Sequence, residues 1–580
     1  MTIGRRTTIQ VAFVLFASAA GVALTCIPLR AAPAIEVELG FQGHVVPERY
    51  APIRVRIRGY DGRTPARLLV VQTLGSEWRD TSIVRQELGI DVTSDGVYEA
   101  TLPVYEPLNP VHVSLVAEDG RLLGETSVQL RATRHLDPFV LRYGPLPPFG
   151  GGTDEPVVAA DLPSEWWAYD AVRVLWIAAP PSQEAWSAIG RWALSGGSVV
   201  LAAGPDYFRF DSPILRSLLP LSNPTLAASE EGTLALSGSL RSGASISVSR
   251  GDLPLLTGWR YGAGHVAVLT TRPADLSAEE LEDVAAAIPD AVRLSMIPVS
   301  ESVLRALPVI RPTHLSALLL IALTVAAWTG IVYVGRRYRR TGAACAAGVI
   351  VALVVWSGFF ANRANEYASV YSVYTSFHLS TSFGIDVASL SFFAPSSLVR
   401  DYALAGNAIP LQAPTSSAAP HPFDAFMPQT TATPVLYAHT ARPGRVTASS
   451  GHGELKTFLA FDDSRSTPRL SVRGPTTTLE YAGDVRLADC WLIVDGQGAR
   501  MPQVTAGTTR LTPGVLEPLG SLVREANDPA ALLLQHAVEI LPLHQGVWFI
   551  GISELQSPAP PEPDREVRHL DAYVVRGDVS

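Results

Sequence analysis

The sequence predicts a multidomain protein of α/β plus all-β class, with a two-helix transmembrane hairpin between its two soluble parts. Short strands with Pro and Gly turns fill the first 140 residues, and strand–helix alternation follows to about residue 300. Two apolar runs, 315–334 and 342–360, each have about the 20 residues that a helix needs to cross a hydrocarbon core. The predicted segments are a signal peptide or signal anchor (1–34), an immunoglobulin-like β-sandwich (35–140), an α/β domain (153–300), a transmembrane helix (314–335), a cytoplasmic basic loop (336–341), a second transmembrane helix (342–361) and a mostly β C-terminal domain (365–580).

The first 34 residues have the composition of an export signal. Arg5 and Arg6 precede an apolar stretch at 11–24, and small residues at 31–34 offer a cleavage site. An uncleaved segment would become a third membrane helix. The topology would not change, because Arg5 and Arg6 would also remain in the cytoplasm.

The β-sandwich is predicted from period-2 alternation and turn residues. Three apolar residues alternate with three arginines in one strand: Ile53, Val55 and Ile57 with Arg54, Arg56 and Arg58. The stretches 111–116 and 122–130 flank Asp119 and Gly120, which predicts a hairpin. Short strands with such punctuation favour an immunoglobulin-type sandwich.

The region after residue 153 shows strands separated by helix signals. Three apolar runs have the length of buried parallel strands: 172–178, 198–203 and 265–270. Ser182 is placed to cap a helix, and Ser277 with Glu280 has the spacing of a capping box. The stretch 234–250 is predicted to form a β-hairpin insertion. These signals together favour an α/β layer fold.

Three motifs in this region resemble a known family. They are Leu162-Pro163 with WAYD at 167–170, WALSGGSVV at 192–200 and YGAGHVAV at 261–268. In this order they resemble the class I glutamine amidotransferase-like fold of exported bacterial membrane proteins, over about residues 155–295, a quarter of the chain.

The resemblance implies a fold rather than an activity. Enzymes of that family carry a nucleophilic cysteine on a sharp turn after a strand. The chain has no cysteine between Cys26 and Cys345, and the turn after 198–203 reads GPDY at 204–207. Because thiolate chemistry needs the thiol, the resemblance implies a scaffold without a catalytic triad.

Composition excludes several kinds of partner and cofactor. The formal net charge of −9 argues against nucleic acid. Cys26, Cys345 and Cys490 are too isolated for a disulfide framework or a cysteine zinc site, and no histidine pair has metal-ligand spacing. No cofactor and no metal site is therefore predicted. Lys456 is the only lysine, which we interpret as the coding bias of a GC-rich bacterial genome.

The densest candidate for ligand binding is the aromatic and acidic stretch 165–170. Its candidate residues are Trp166, Trp167, Tyr169 and Asp170. Aromatic rings beside carboxylates suit sugars, and paired carboxylates catalyse glycoside hydrolysis. The alternative is core packing, because the stretch leads directly into a buried strand. No catalytic residue is predicted.

Four arginines between the apolar runs predict the topology. Arg336, Arg337, Arg339 and Arg340 lie in one short loop, which should stay in the cytoplasm. Both large soluble parts and the C-terminus would then be extracytoplasmic, at the bacterial inner membrane, and we expect the two parts to contact each other. Neither apolar run contains Asp, Glu, Lys, Arg or His, so the hairpin is interpreted as an anchor in the lipid bilayer.

These observations predict a membrane-anchored envelope protein without catalytic activity, which binds or scaffolds other envelope or membrane proteins. One alternative is an envelope hydrolase that acts on glycan or peptide through the α/β domain. Another is an accessory subunit of a transport or secretion complex, in which a partner supplies the pathway.

Overall fold

The structure is a computed structural model, and it describes only part of the chain. The described residues are 34–59, 64–74, 82–92, 96–105, 109–132, 137–147, 156–210, 212–228, 232–306, 328–329, 332–333, 336, 371–381, 383–394, 398–403, 411–412, 435–439, 445–450, 454–463, 469–473, 476–481, 486–512, 514–522, 528–556 and 567–579. Within them the protein is multidomain and mostly β, with several sheets and few helices, as the sequence predicts.

The N-terminal part contains two larger sheets that pack on a common core, and one short two-stranded sheet. Its strands are β1 (Ala34–Leu39), β2 (His44–Val45), β3 (Arg49–Arg58), β4 (Thr64–Leu74), β5 (Ser82–Val92), β6 (Val97–Val104), β7 (Val111–Ala117), β8 (Leu122–Val128), β9 (Arg131–Ala132) and β10 (Phe139–Tyr143). Strand β3 buries Ile53, Val55 and Ile57. The predicted hairpin is confirmed as the antiparallel pair β7–β8. We call this part, without β10, the N-terminal sandwich.

The α/β part follows. Its elements are β11 (Val157–Ala159), a 3-10 helix (Trp166–Tyr169), β12 (Val172–Ile177), α1 (Gln183–Leu194), β13 (Ser198–Leu201), a 3-10 helix (Gly204–Arg209), α2 (Pro213–Leu218), β14 (Leu221–Ala228), β15 (Leu234–Leu240), β16 (Ala244–Arg250), β17 (Leu253–Tyr261), β18 (Gly264–Leu269), a 3-10 helix (Pro273–Asp275), α3 (Ala278–Ala286) and α4 (Ile297–Ala306). Its sheet has the order β11-β10-β12-β13-β18-β17-β16, and the first five strands are parallel.

Helices cover both faces of this sheet, as apolar parallel strands require. Val199 and Val268 contact the core that includes α1, whereas Val200 and Leu269 contact α3. The predicted caps are confirmed: Ser182 accepts a hydrogen bond from the Ala185 amide, and Ser277 with Glu280 forms the capping box.

Strand β10 begins at the end of the predicted sandwich and joins the α/β sheet between β11 and β12. One expectation for this region was wrong. The stretch 234–250 is not a hairpin, because β15 pairs with β14 and β16 pairs with β17. Period-2 alternation predicts strands but does not select their partners.

The C-terminal part contains a nine-stranded sheet and a four-stranded sheet. Its elements are β19 (Tyr371–Ser380), β20 (Gly384–Ala394), β21 (Leu398–Ala403), β22 (Leu411–Gln412), β23 (Val435–His439), β24 (Arg445–Ser450), β25 (Glu454–Asp463), β26 (Arg469–Arg473), β27 (Thr476–Tyr481), β28 (Asp489–Val494), β29 (Gln497–Met501), β30 (Gly507–Leu511), β31 (Glu517–Pro518), α5 (Leu519–Leu522), α6 (Pro529–Ile540), β32 (Val547–Gln556), β33 (Val567–Arg576) and β34 (Asp578–Val579). The nine-stranded sheet has the order β22-β25-β20-β19-β33-β32-β28-β29-β31. The last two long strands, β32 and β33, pair antiparallel in this sheet.

The nine-stranded sheet lies at the centre of the molecule. On β19, Val373 and Phe377 belong to the core shared with the α/β part, whereas Tyr374 belongs to the core of the N-terminal sandwich. Because side chains alternate across a strand, one sheet packs on both neighbours. The expected contact between the two large soluble parts is therefore confirmed.

The N-terminal sandwich is completed from the C-terminal part. Strand β23 pairs in parallel with β5 along Val435–His439, and β24 and β21 extend the same sheet. The sequence-based boundary at residue 140 does not anticipate these three strands. The domain predicted from local sequence patterns therefore omits three strands of its own sheet.

The predicted transmembrane hairpin receives no support from the described residues. No helix in that part of the chain is long and apolar enough to cross a membrane. The predicted segments 314–335, 336–341 and 342–361 lie outside the described residues, except for a few positions between 328 and 336, and so does the predicted export signal up to residue 33. Both remain predictions from sequence.

Candidate functional site

The predicted aromatic candidates lie in the protein core. The 3-10 helix Trp166–Tyr169 follows the extended residue Glu165 and ends just before β12. Trp166, Trp167 and Tyr169 are 3%, 5% and 0% exposed. The ring of Trp166 lies 4.8 Å from that of Phe461, and the ring of Tyr169 lies 5.6 Å from that of Trp192. These rings therefore pack the interior rather than form an open sugar platform.

Asp170 joins the N-terminal sandwich to the α/β part. Its Oδ1 lies 3.1 Å from Nη1 of Arg49, and its Oδ2 lies 3.0 Å from Nη2 of Arg293. The amide of Tyr50 donates to Oδ2 at 3.2 Å. The Asp170 side chain is 6% exposed. A buried carboxylate needs such ion pairs and hydrogen bonds to offset its desolvation. We call Asp170, Arg49, Arg293 and the Tyr50 amide the Asp170 junction.

The guanidinium of Arg293 is held in the same junction. Its Nη1 donates to the carbonyl oxygen of Glu48 at 3.2 Å. Burial lowers the pKa of Arg293 from its ordinary value, and the charge of Asp170 opposes that change. Arginine nevertheless keeps its proton in proteins, so Arg293 stays positively charged in the Asp170 junction.

A small pocket opens beside this junction. Aromatic residues and charged residues share its lining: Trp166, Trp167, Trp192, Phe461, Arg49, Arg293 and Asp170. Asp170 is the only carboxylate among the lining residues. Glycoside hydrolysis by paired carboxylates would need a second one, so this pocket lacks the expected acid and base.

The first position of the turn after β13 does not have room for a nucleophilic side chain. Gly204 has a φ of +51°, and a Cβ placed there would lie 2.5 Å from the carbonyl carbon of Thr271. The adjacent Asp206 forms ion pairs with Arg272 at 3.0 Å and Arg209 at 3.7 Å. The hydrogen bond from Arg272 lowers the pKa of Asp206, which favours a permanent carboxylate.

A second polar cluster, which the sequence-based search missed, lies in the nine-stranded sheet. His378 Nδ1 is 2.7 Å from Oδ1 of Asp386, and His378 Nε2 is 3.1 Å from Oγ of Ser376. The hydroxyl of Ser376 also donates to Asp571. We call Ser376, His378, Asp386 and Asp571 the His378 cluster. His378 faces Asp386 across the β19–β20 hairpin, so recognition of that hairpin would have found the pair.

The His378 cluster has the residue types of a serine hydrolase triad but not its geometry. Strand β19 is paired with β20 on one side and β33 on the other, so its backbone amides near Ser376 are used in ladders. An oxyanion hole needs free donors beside the nucleophile. Ser376 is 4% exposed, and its proton is directed to Asp571 rather than to His378. This arrangement does not activate a serine.

The remaining residues named from the sequence do not form a site among the described residues. Cys490 is buried, and burial raises the pKa of its thiol to about 12, which keeps it protonated. Of the four topology arginines, only Arg336 is among the described residues. Among the described residues, no three His, Cys, Asp or Glu side chains gather as metal ligands would.

Comparison with known proteins adds no family. No protein-family model matches the chain, and no curated protein matches its sequence. The resemblance to the amidotransferase-like fold therefore rests on the three motifs and stays a prediction.

Proposed function

We propose that the chain is a membrane-anchored bacterial envelope protein without catalytic activity, which binds or scaffolds partners on the extracytoplasmic face of the inner membrane. In this proposal the α/β part is an amidotransferase-like domain that has lost its nucleophile. The N-terminal sandwich and the C-terminal β part pack with it and form one surface that binds partners. Its partners would be other envelope or membrane proteins.

The observation that carries the proposal is the contact between α4 and β19–β20. Helix α4 ends at Ala306, before the predicted hairpin, and β19 begins at Tyr371, after it. The hydroxyls of Ser300 on α4 and Ser391 on β20 are 2.7 Å apart and buried. A segment that leaves and returns at packed elements crosses a membrane an even number of times if it enters one, and a two-helix anchor meets this requirement.

Three features favour binding over catalysis. Gly204 occupies the turn where the resembled family has its nucleophile. The Asp170 carboxylate is used between two arginines, and Ser376 lies on a strand without free amides. Asp170 and Ser376 instead connect parts of the chain, which supports a structural role for these two groups.

Reporter fusions test the proposed topology. Alkaline phosphatase fused after Ala364 should be active, because it would be exported, whereas the same enzyme fused after Tyr338 should be inactive. The matched control replaces Arg336, Arg337, Arg339 and Arg340 with glutamine, which should weaken this difference because the arginines hold the loop in the cytoplasm. An inactive fusion after Ala364 would overturn the proposal.

A further inference from the structure

The His378 cluster lies between two apolar cores on one face of the nine-stranded sheet. Ser376 and His378 are two residues apart on β19, so they share a face. Asp571 on β33 is opposite Ser376, and Asp386 on β20 is opposite His378. On the same face, Tyr374 belongs to the core of the N-terminal sandwich, whereas Tyr573 belongs to the core under the four-stranded sheet. The cluster therefore lies where three sheets meet.

The three contacts of the cluster require three hydrogens. One lies between His378 Nδ1 and Asp386, one between Ser376 Oγ and Asp571, and one between His378 Nε2 and Ser376 Oγ. A neutral imidazole and a serine hydroxyl supply two. With both carboxylates ionised, the third contact would place two acceptors against each other, so the geometry needs one further proton.

The groups around His378 favour the protonated form of its imidazole. Asp386 and Asp571 face it from β20 and β33, and Asp462 on β25 lies opposite Asp386 in the ladder. The ring of Tyr573 stacks on His378 with centroids 4.4 Å apart, and Tyr481 on β27 contacts Tyr573 edge-on. Burial and the charge of Asp571 raise the pKa of Tyr573, so its phenol stays neutral.

We propose that the His378 cluster is a buried proton-binding site that stabilises the packing of the three sheets and is weakened when the proton leaves. The bound proton makes an imidazolium held by Asp386 and, through Ser376, by Asp571. Its loss leaves both carboxylates facing a neutral histidine and one hydrogen bond unmade. Both changes raise the free energy of the folded state at the face where the N-terminal sandwich contacts the C-terminal sheets.

The direction of the pH dependence follows from the cluster's charges. Burial lowers the pKa of His378, but the hydrogen bond to Asp386 and the charges of Asp386 and Asp571 outweigh it, and the pKa is raised. The stabilisation is fully present below the unfolded pKa of about 6.5. It is lost as pH rises through the folded pKa. In that window the unfolding equilibrium constant should increase about tenfold per pH unit.

Histidine C2-hydrogen exchange, followed by mass spectrometry on the full-length chain in detergent, measures this directly. His378 should titrate above the ordinary histidine value of about 6.5. His265 is the internal control, because burial lowers its pKa to about 4. An apparent pKa of His378 at or below the ordinary value would overturn the proposal.

Two variants separate proton binding from simple packing. His378→Gln should abolish the fall in melting temperature as pH rises above about 6.5, whereas His265→Gln should retain it. Asp571→Asn should also flatten the profile, because its amide supplies the missing hydrogen to Ser376 while His378 stays neutral. An unchanged slope in both His378→Gln and Asp571→Asn would contradict the proposal.

Discussion

The Asp170 junction and the His378 cluster both connect parts of the chain through buried carboxylates, but their cations differ. Asp170 is held by Arg49 and Arg293, whose charges are fixed at all ordinary pH values. Asp386 and Asp571 are held through His378, whose charge changes near neutrality. The cations of the Asp170 junction therefore keep their charge, whereas the cation of the His378 cluster responds to pH.

The largest expected effect is on the Asp170 junction. Asp170→Asn would leave two largely buried guanidinium groups without a counter-charge, so we expect it to lower the free energy of unfolding by about 3–5 kcal/mol. Chemical denaturation of the full-length protein in detergent measures this. The loss should be the same at mildly acidic and mildly basic pH. A pH-dependent loss would erase the contrast with the His378 cluster.

A smaller effect is expected on the opposite face of β19. The hydroxyls of Thr375 and Ser389 are buried there, 2.7 Å apart. Ser389→Ala would leave the Thr375 hydroxyl without this partner and should cost about 1–3 kcal/mol. Thermal unfolding across the pH range should show a uniform decrease, because neither group titrates. If the melting temperature of this variant changed with pH as steeply as expected for the His378 cluster, burial alone would explain the pH dependence of stability.

The smallest effect is expected at an exposed ion pair. Asp161 lies 3.2 Å from Nη2 of Arg54, with its side chain 63% exposed. Asp161→Asn makes the same chemical change as Asp170→Asn and should cost about 0–1 kcal/mol, because solvent screens the pair. The same denaturation experiment provides the comparison. Equal losses for the two variants would show that burial does not strengthen the Asp170 junction.

Local features of the fold were predictable because short-range physics determines them. The run 172–178 forms β12, Ser182 caps α1, and Ser277 with Glu280 closes a capping box. Each signal depends on residues only a few positions apart, where spacing and chemistry suffice. The mostly β, multidomain character followed from the same patterns.

The candidate site was not predictable in the same way. Asp170 was identified as a residue, but Arg49 is 121 positions away and nothing local links the two. Asp571 and Ser376 are separated by 195 positions. The wrong hairpin at 234–250 has the same origin, since alternation alone leaves strand partners open. Long-range pairing depends on the whole set of competing strands.

The parallel pair β5–β23 determines when the protein can finish folding. Strand β5 ends at Val92 and its partner begins at Val435. At synthesis rates of about 5–20 residues per second, roughly 340 residues separate the two strands by about 17–70 s. During that time one edge of the N-terminal sheet lacks its partner and is open to pairing with other chains. We therefore expect nascent chains to depend on a holding chaperone until the C-terminal part emerges.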